Sequence, residues 1–197
     1  MPAPGPDMAQ TAPHQAWTPP RSVVLVGLMG AGKTSIGRRL ASRFGLPFVD
    51  ADHEIEVAAG CTIETIFEMH GEPAFRDCER RVIGRLLDRP VQVLATGGGA
   101  FIDPDTRRLV KSKAVSLWLR AELDLLAERV SRRSNRPLLK QGNPREVLAR
   151  LISERYPVYA EADLVIDSLD APAEVTVETA LRALRTFFAH ESEKVGT

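Results

Sequence analysis

Gly27-Leu28-Met29-Gly30-Ala31-Gly32-Lys33-Thr34 decides how this chain folds. The stretch satisfies the spacing GxxxxGK[ST], and its neighbours supply the context that gives the spacing meaning. Before it, Ser22–Val26 is a short apolar, β-branched run, as expected of a strand buried on both faces of a parallel sheet. After it, Ile36, Leu40 and Phe44 mark one face of a helix over Lys33–Phe44. A strand, a glycine loop and a helix in that order make a phosphate cradle. The glycines let backbone N–H groups turn inward, and the helix N-terminus favours an anion. Gly30, Ala31, Gly32, Lys33, Thr34 and Ser35 are the expected nucleotide contacts. Lys33 can reach the β- and γ-phosphates, and the Thr34 hydroxyl is a candidate ligand for Mg²⁺. A plain βα turn has no need of Lys-Thr at that position.

The same alternation continues outward. Strands are expected at Pro47–Asp50, Val91–Ala95, Ala114–Leu119 and Leu164–Asp167. Helices are expected at 52–59, 63–70, 74–87, 105–111, 122–132, from Pro144 to about 153–155, and from Pro172 to about Phe188. Repeated β-α units predict an α/β fold with a mainly parallel sheet and helices on both faces. Ser131–Asn143 carries Ser, Asn, Gly and Pro among three arginines and one lysine, and is expected to be a basic lid loop. Residues 1–20 hold six prolines and are expected to form a disordered arm. Residues 21–189 then make one domain, and 190–197 a flexible tail.

Composition narrows the function classes. With 26 Lys+Arg against 26 Asp+Glu, there is no global basic field for nucleic acid. No apolar run approaches the roughly 18 residues of a membrane helix. Cys61 and Cys78 lie without a CxxC pair or a metal-spaced histidine, which predicts two reduced thiols in a cytoplasmic protein. No long apolar stripe is left over for an interface, so a monomer is expected. The guanine-reading NKxD segment of switch GTPases is absent, and the chain is short for a motor ATPase. A small-molecule kinase using ATP is the class that remains.

Five further segments, in order along the chain, carry a specific resemblance. They are Phe48-Val49-Asp50-Ala51-Asp52 with Glu54-Ile55-Glu56, Gly71-Glu72-Pro73-Ala74-Phe75-Arg76, Ala95-Thr96-Gly97-Gly98-Gly99, Arg136-Pro137-Leu138-Leu139, and Glu154-Arg155-Tyr156-Pro157-Val158-Tyr159. Together with the phosphate loop, this set resembles the shikimate kinase family over residues 22–187. The resemblance implies a three-layer α/β/α P-loop kinase with a five-stranded parallel sheet of order 2-3-1-4-5. It also implies transfer of phosphate from ATP, with Mg²⁺, to the 3-hydroxyl of shikimate, on the route to chorismate and the aromatic amino acids.

Shikimate presents one carboxylate and three hydroxyls, so its site should offer cations and an anion close to the γ-phosphate. By resemblance, Asp50 helps hold Mg²⁺ with Thr34, and Asp52 binds the substrate hydroxyls. Asp52 is then also the candidate to orient or deprotonate the attacking oxygen. Taken alone, both could simply cap the next helix. Arg76 and Arg155 are implied as substrate ligands, with Gly97, Gly98 and Gly99 giving bare backbone beside the substrate. Arg136, in the lid, would neutralise charge on the transferring phosphoryl group. Arg129 is a candidate for stacking on adenine, while Arg80, Arg81, Arg132 and Arg133 read as surface residues. Lys33, Asp52 and Arg136 make the expected catalytic set. One region departs from the family: the loop after strand five, often basic there, reads Ser168-Leu169-Asp170-Ala171-Pro172. A gluconate or nucleotide kinase of the same fold is the nearest rival.

Overall fold

The computed structural model describes residues 17–132 and 143–195. Strand β1 (Ser22–Val26) lies at the centre of a five-stranded parallel sheet of order β2-β3-β1-β4-β5. β2 is Phe48–Asp50, β3 Val93–Ala95, β4 Ala114–Arg120 and β5 Leu164–Asp167. All five residues of β1 are buried, as a strand covered on both faces must be. β3 starts two residues later than its apolar run suggests, because the Gln92 N–H goes to Ser22 Oγ at 3.1 Å.

The helices are α1 (Lys33–Phe44), α2 (Ala51–Ala59), α3 (Ile63–Leu87), α4 (Pro104–Lys113), α5 (Leu123–Ser131), α6 (Pro144–Tyr159) and α7 (Ala173–Val195). Right-handed crossovers divide them between the two sides of the sheet. The chain moves one way from β1 to β2 and the other way afterwards, so α1 lies on one face and the later crossover helices on the opposite face. α7 returns to pack against α1 and β5. Gly37 permits the close seating of α1 on the sheet: a Cβ there would lie 2.6 Å from the Phe48 ring and 2.8 Å from Leu25 Cδ1. The helices expected at 63–70 and 74–87 form one kinked element. Its break is Gly71, at φ 76° and ψ 176°, and Pro73 restarts it.

Both ends of the chain depart from expectation. Trp17, placed in the disordered arm, packs edge-on against Phe44 at 5.7 Å and against Phe188 at 6.0 Å. Thr18 Oγ1 donates to the Phe44 carbonyl at 3.0 Å, satisfying an acceptor at the α1 C-terminus. Trp17 and Thr18 therefore belong to the packed domain; residues 1–16 lie outside the described residues. The tail expected from residue 190 is instead helical: α7 runs on to Val195, with Ser192 Oγ on the Phe188 carbonyl at 2.9 Å and Glu191 paired with Arg21.

Candidate active site

The phosphate loop leaves β1 with Gly27 at φ 136°, Gly30 at φ 83° and Gly32 at φ 95°, values that a side-chain-bearing residue rarely adopts. Gly27 is also required sterically, since a Cβ there would lie 2.7 Å from the Leu119 carbonyl oxygen. The loop ends on α1, whose N-terminus has no side-chain cap and no acid in its first turn. Most helices satisfy those free N–H groups with a cap; here they and the helix dipole face outward as an anion site. Lys33 Nζ folds over this loop, donating to the carbonyls of Gly27 at 2.8 Å and Leu28 at 3.0 Å. Ser35 is tied to its own helix, with its hydroxyl accepting from Arg39 at 2.7 Å.

The two aspartates after β2 divide their work. Asp50 is the N-cap of α2, its Oδ1 accepting from the Asp52 N–H at 3.2 Å. Its Oδ2 accepts from Thr34 Oγ1, also at 3.2 Å. This hydroxyl–carboxylate pair beside the phosphate loop fits Mg²⁺, which takes few protein ligands and completes its shell with water and phosphate. Among the described residues no cluster of three or more His, Cys, Asp or Glu could hold a metal by itself. Asp52, which could have been the cap, instead faces Gly97. A Cβ at Gly97 would lie 2.8 Å from Asp52 Oδ1 and 3.1 Å from Glu79 Oε1.

Glu79 escaped the sequence reading. It is 1% exposed, with Oε2 accepting from Arg76 Nη1 at 2.6 Å and Oε1 without a partner among the described residues. Burial pushes its carboxyl above the usual range; Arg76 pulls it back, and Asp52 and Asp103 push it further up. Glu72 holds the other edge of the guanidinium, with Arg76 Nε at 3.3 Å and Nη2 at 3.1 Å. Although burial works against the charge on Arg76, these two acids keep it ionised. The guanidinium thus stands over Gly99, where a Cβ would lie 2.3 Å from Nη2. The signal in sequence was only the i, i+3 spacing of Arg76 and Glu79 within a highly charged helix. Burial alone separates Glu79 from Glu72 and Asp77.

Glu79→Gln should leave Arg76 with one acid and raise about tenfold the KM of an anionic substrate that Arg76 binds, the scale of a charge-assisted hydrogen bond. Because the folded-state value of Glu79 is raised, ionising it costs stability as pH climbs through that value. The melting temperature of Glu79→Gln relative to the parent should therefore rise from pH 5 to pH 8. Parallel melting and steady-state kinetics check both, and an unchanged KM removes Glu79 from the site.

Arg155, on α6, donates from Nη1 to the Gly98 carbonyl at 3.0 Å. Gly98 in turn lies against the phosphate loop: its Cβ position is 3.6 Å from the Gly27 oxygen and 3.8 Å from the Met29 nitrogen. Arg129 is placed on the nucleotide side. Its Nη1 donates to Ser168 Oγ at 2.8 Å and to the Gly30 carbonyl at 3.4 Å, and its Nη2 to the Leu169 carbonyl at 2.7 Å. The loop after β5, which lacks a cation of its own, thus receives one from α5. Arg80 and Arg81 sit in a surface network with Asp77, as read from the sequence. Arg136 and most of the expected lid, residues 133–142, lie outside the described residues.

The pattern of the shikimate kinase family matches residues 29–185. A shikimate kinase of Paramagnetospirillum magneticum is 54% identical over 181 residues, covering 92% of this chain and 93% of that protein. One of Caulobacter vibrioides is 59% identical over 165 residues, covering 84% of this chain and 82% of its own. Among solved structures, the shikimate kinase of Acinetobacter baumannii in complex with shikimate superposes with a TM-score of 0.81 at 39% identity. That match covers 87% of this chain and 95% of the other.

Proposed function

This chain belongs to the shikimate kinase family, and we propose that its phosphate loop and its Gly97–Gly99 platform are the donor and acceptor halves of the active site. As a shikimate kinase it transfers the γ-phosphoryl group of ATP to the 3-hydroxyl of shikimate, giving shikimate 3-phosphate and ADP. The observation that carries the site assignment is the closeness of Gly98 to the phosphate loop, where a Cβ on Gly98 would lie 3.6 Å from the Gly27 oxygen and 3.8 Å from the Met29 nitrogen. Any ligand on the glycine platform lies next to the loop that grips the phosphates.

The signs of charge suit the two substrates. Arg76 and Arg155 flank the platform and take the shikimate carboxylate, which a planar guanidinium binds in bidentate fashion. Asp52 takes the ring hydroxyls and aims the attacking oxygen. That oxygen forms a bond to the γ-phosphorus as the bridge to the β-phosphate breaks, and the hydroxyl proton leaves toward Asp52. Lys33 and the α1 N-terminus balance the charge on the phosphoryl oxygens. Thr34 and, through water, Asp50 would hold Mg²⁺, which would supply charge neutralisation at the phosphates. Arg136, outside the described residues, would balance charge on the transferring group, and Arg129 bounds the adenine side. The proposal extends to a cytoplasmic monomer acting on small molecules, with no nucleic acid or membrane partner.

Purified protein mixed with ATP, Mg²⁺ and either shikimate or gluconate tests the reading by ADP release. Shikimate-dependent release with gluconate inert is expected. Gluconate-dependent release with shikimate inert sinks it.

A further inference from the structure

The Gly98 carbonyl accepts two hydrogen bonds, and only one comes from a residue already placed in the site. The first is from Arg155 Nη1 at 3.0 Å; the second is from the Tyr159 hydroxyl. Arg155 and Tyr159 are four residues apart on α6, so they project from one face of the helix and converge on the same atom. Tyr159 is fully buried at 0% exposure. Its ring packs on Trp118 of β4 at 5.8 Å, and Trp118 reaches beneath the phosphate loop, with Cδ1 3.4 Å from the Cβ position of Gly27. A rigid aromatic pair therefore runs from the start of the phosphate loop to the middle glycine of the acceptor platform.

We propose that Tyr159 is a positioning residue of the acceptor site: by holding the Gly98 carbonyl, it fixes the glycine platform and Arg155 in register with the phosphate loop. The proposal rests on the reading of Gly98 and Arg155 as substrate contacts. Its physical basis is that glycine supplies no side chain to lock its own backbone. Three successive glycines would sample many conformations unless something outside the segment pins them. Arg155 cannot do this alone, because the same guanidinium must also meet the substrate carboxylate. The Tyr159 hydroxyl meets protein groups, the Gly98 carbonyl and the Arg155 side chain itself, and has no part in binding the carboxylate. Burial pushes its phenol up to about 12, so the donor keeps its proton throughout the working range of pH.

The test is Tyr159→Phe, which deletes one hydroxyl and keeps the ring packed on Trp118. The shikimate KM should rise about fivefold, the scale of one neutral hydrogen bond, with kcat and the ATP KM within about twofold of the parent. Tyr156→Phe is the control: that hydroxyl donates to Ala121 O, away from the platform, and its loss should leave both KM values unchanged. An unchanged shikimate KM in Tyr159→Phe overturns the proposal. So does a collapsed melting transition, or a parallel rise in both KM values, since either makes Tyr159 structural. Arg155→Ala, measured alongside, separates this from the underlying reading. If it raises the shikimate KM while Tyr159→Phe does not, positioning by Tyr159 alone is wrong. If Arg155→Ala has no effect either, the assignment of Arg155 falls, and the proposal with it.

Discussion

Lys33→Ala should lower kcat on the order of 10²-fold or more while the protein melts within about 4 °C of the parent. A 10²-fold loss corresponds to about 2.7 kcal/mol of transition-state stabilisation. That magnitude fits one cation placed against charge that develops on the phosphoryl oxygens in a water-poor site. The stability terms are smaller and oppose one another. Lys33 Nζ donates to two loop carbonyls, at 2.8 and 3.0 Å; these bonds are only part-buried, and each contributes about 1 kcal/mol after exchange with water. Against that, Lys33 is a cation at the positive end of the α1 dipole, so removing it relieves roughly 0.3–1 kcal/mol. The glycine geometry and the N–H groups of the loop do not depend on the lysine side chain. ATP should therefore still bind, more weakly, and the loss should fall mainly on turnover. Single-turnover kinetics and a melting curve on the same preparation check both. Turnover within threefold of the parent removes Lys33 from the catalytic set; a collapsed melting transition makes it a structural residue of the loop.

What could be read in the sequence followed from how local each signal is. The phosphate loop, β1 and α1 form one contiguous stretch, and positive-φ glycines with a Lys-Thr step announce it without tertiary information. The sheet order came from the resemblance, and the parallel strands came from the alternation of elements. The aspartates after β2 were legible as a pair, but which one caps α2 depends on the position of Gly97, 45 residues away. Glu79 was illegible because the surrounding charges on α3 look alike in one dimension. Trp17 was hidden differently: a proline-rich arm reads as unable to pack, yet a single indole finds a complete partner in Phe44 and Phe188. The extra length of α7 was missed because its apolar periodicity ends at Phe188. The remaining turns are good helix formers fixed by contacts such as Arg21 with Glu191, which lie far apart in sequence.

The polarity of the site explains why a family of phosphate-binding loops needs a second platform to select its acceptor. The loop grips phosphates through backbone groups that every such protein shares. In the proposed site, selection falls to Asp52, Arg76, Glu79 and Arg155, which converge on three glycines. Bare backbone lets charged side chains approach within hydrogen-bonding range of one small ring. An alanine at Gly99 would meet Arg76 Nη2 at 2.3 Å, so the site tolerates no side chain there without displacing its own cation.

Asp52→Asn should depress kcat about 10²-fold, with the ATP KM within about twofold of the parent, and Asp52→Ala should match it within about threefold. The reasoning turns on what a loose phosphoryl-transfer transition state demands. Little bond forms to the incoming oxygen before the phosphoryl group is nearly free, so little proton transfer is required of a base. What remains is orientation, and a carboxylate orients a hydroxyl through a charge-assisted hydrogen bond of about 1.5–3 kcal/mol, or roughly 10–150-fold. Asparagine keeps the shape and loses the charge. It also presents an amide whose N–H₂ can turn to the Glu79 carboxylate, the group that shares the Gly97 approach. Charge is therefore the property that counts, and asparagine should rescue little over alanine. Stability should barely move. Asp52 gains roughly 0.3–1 kcal/mol from the α2 N-terminus, but its charge also raises the cost of ionising Glu79 nearby. If Asp52→Asn keeps parental turnover while Asp52→Ala does not, geometry outweighs charge. If both retain parental turnover, Asp52 does not orient the hydroxyl, and the task passes to another group on the platform.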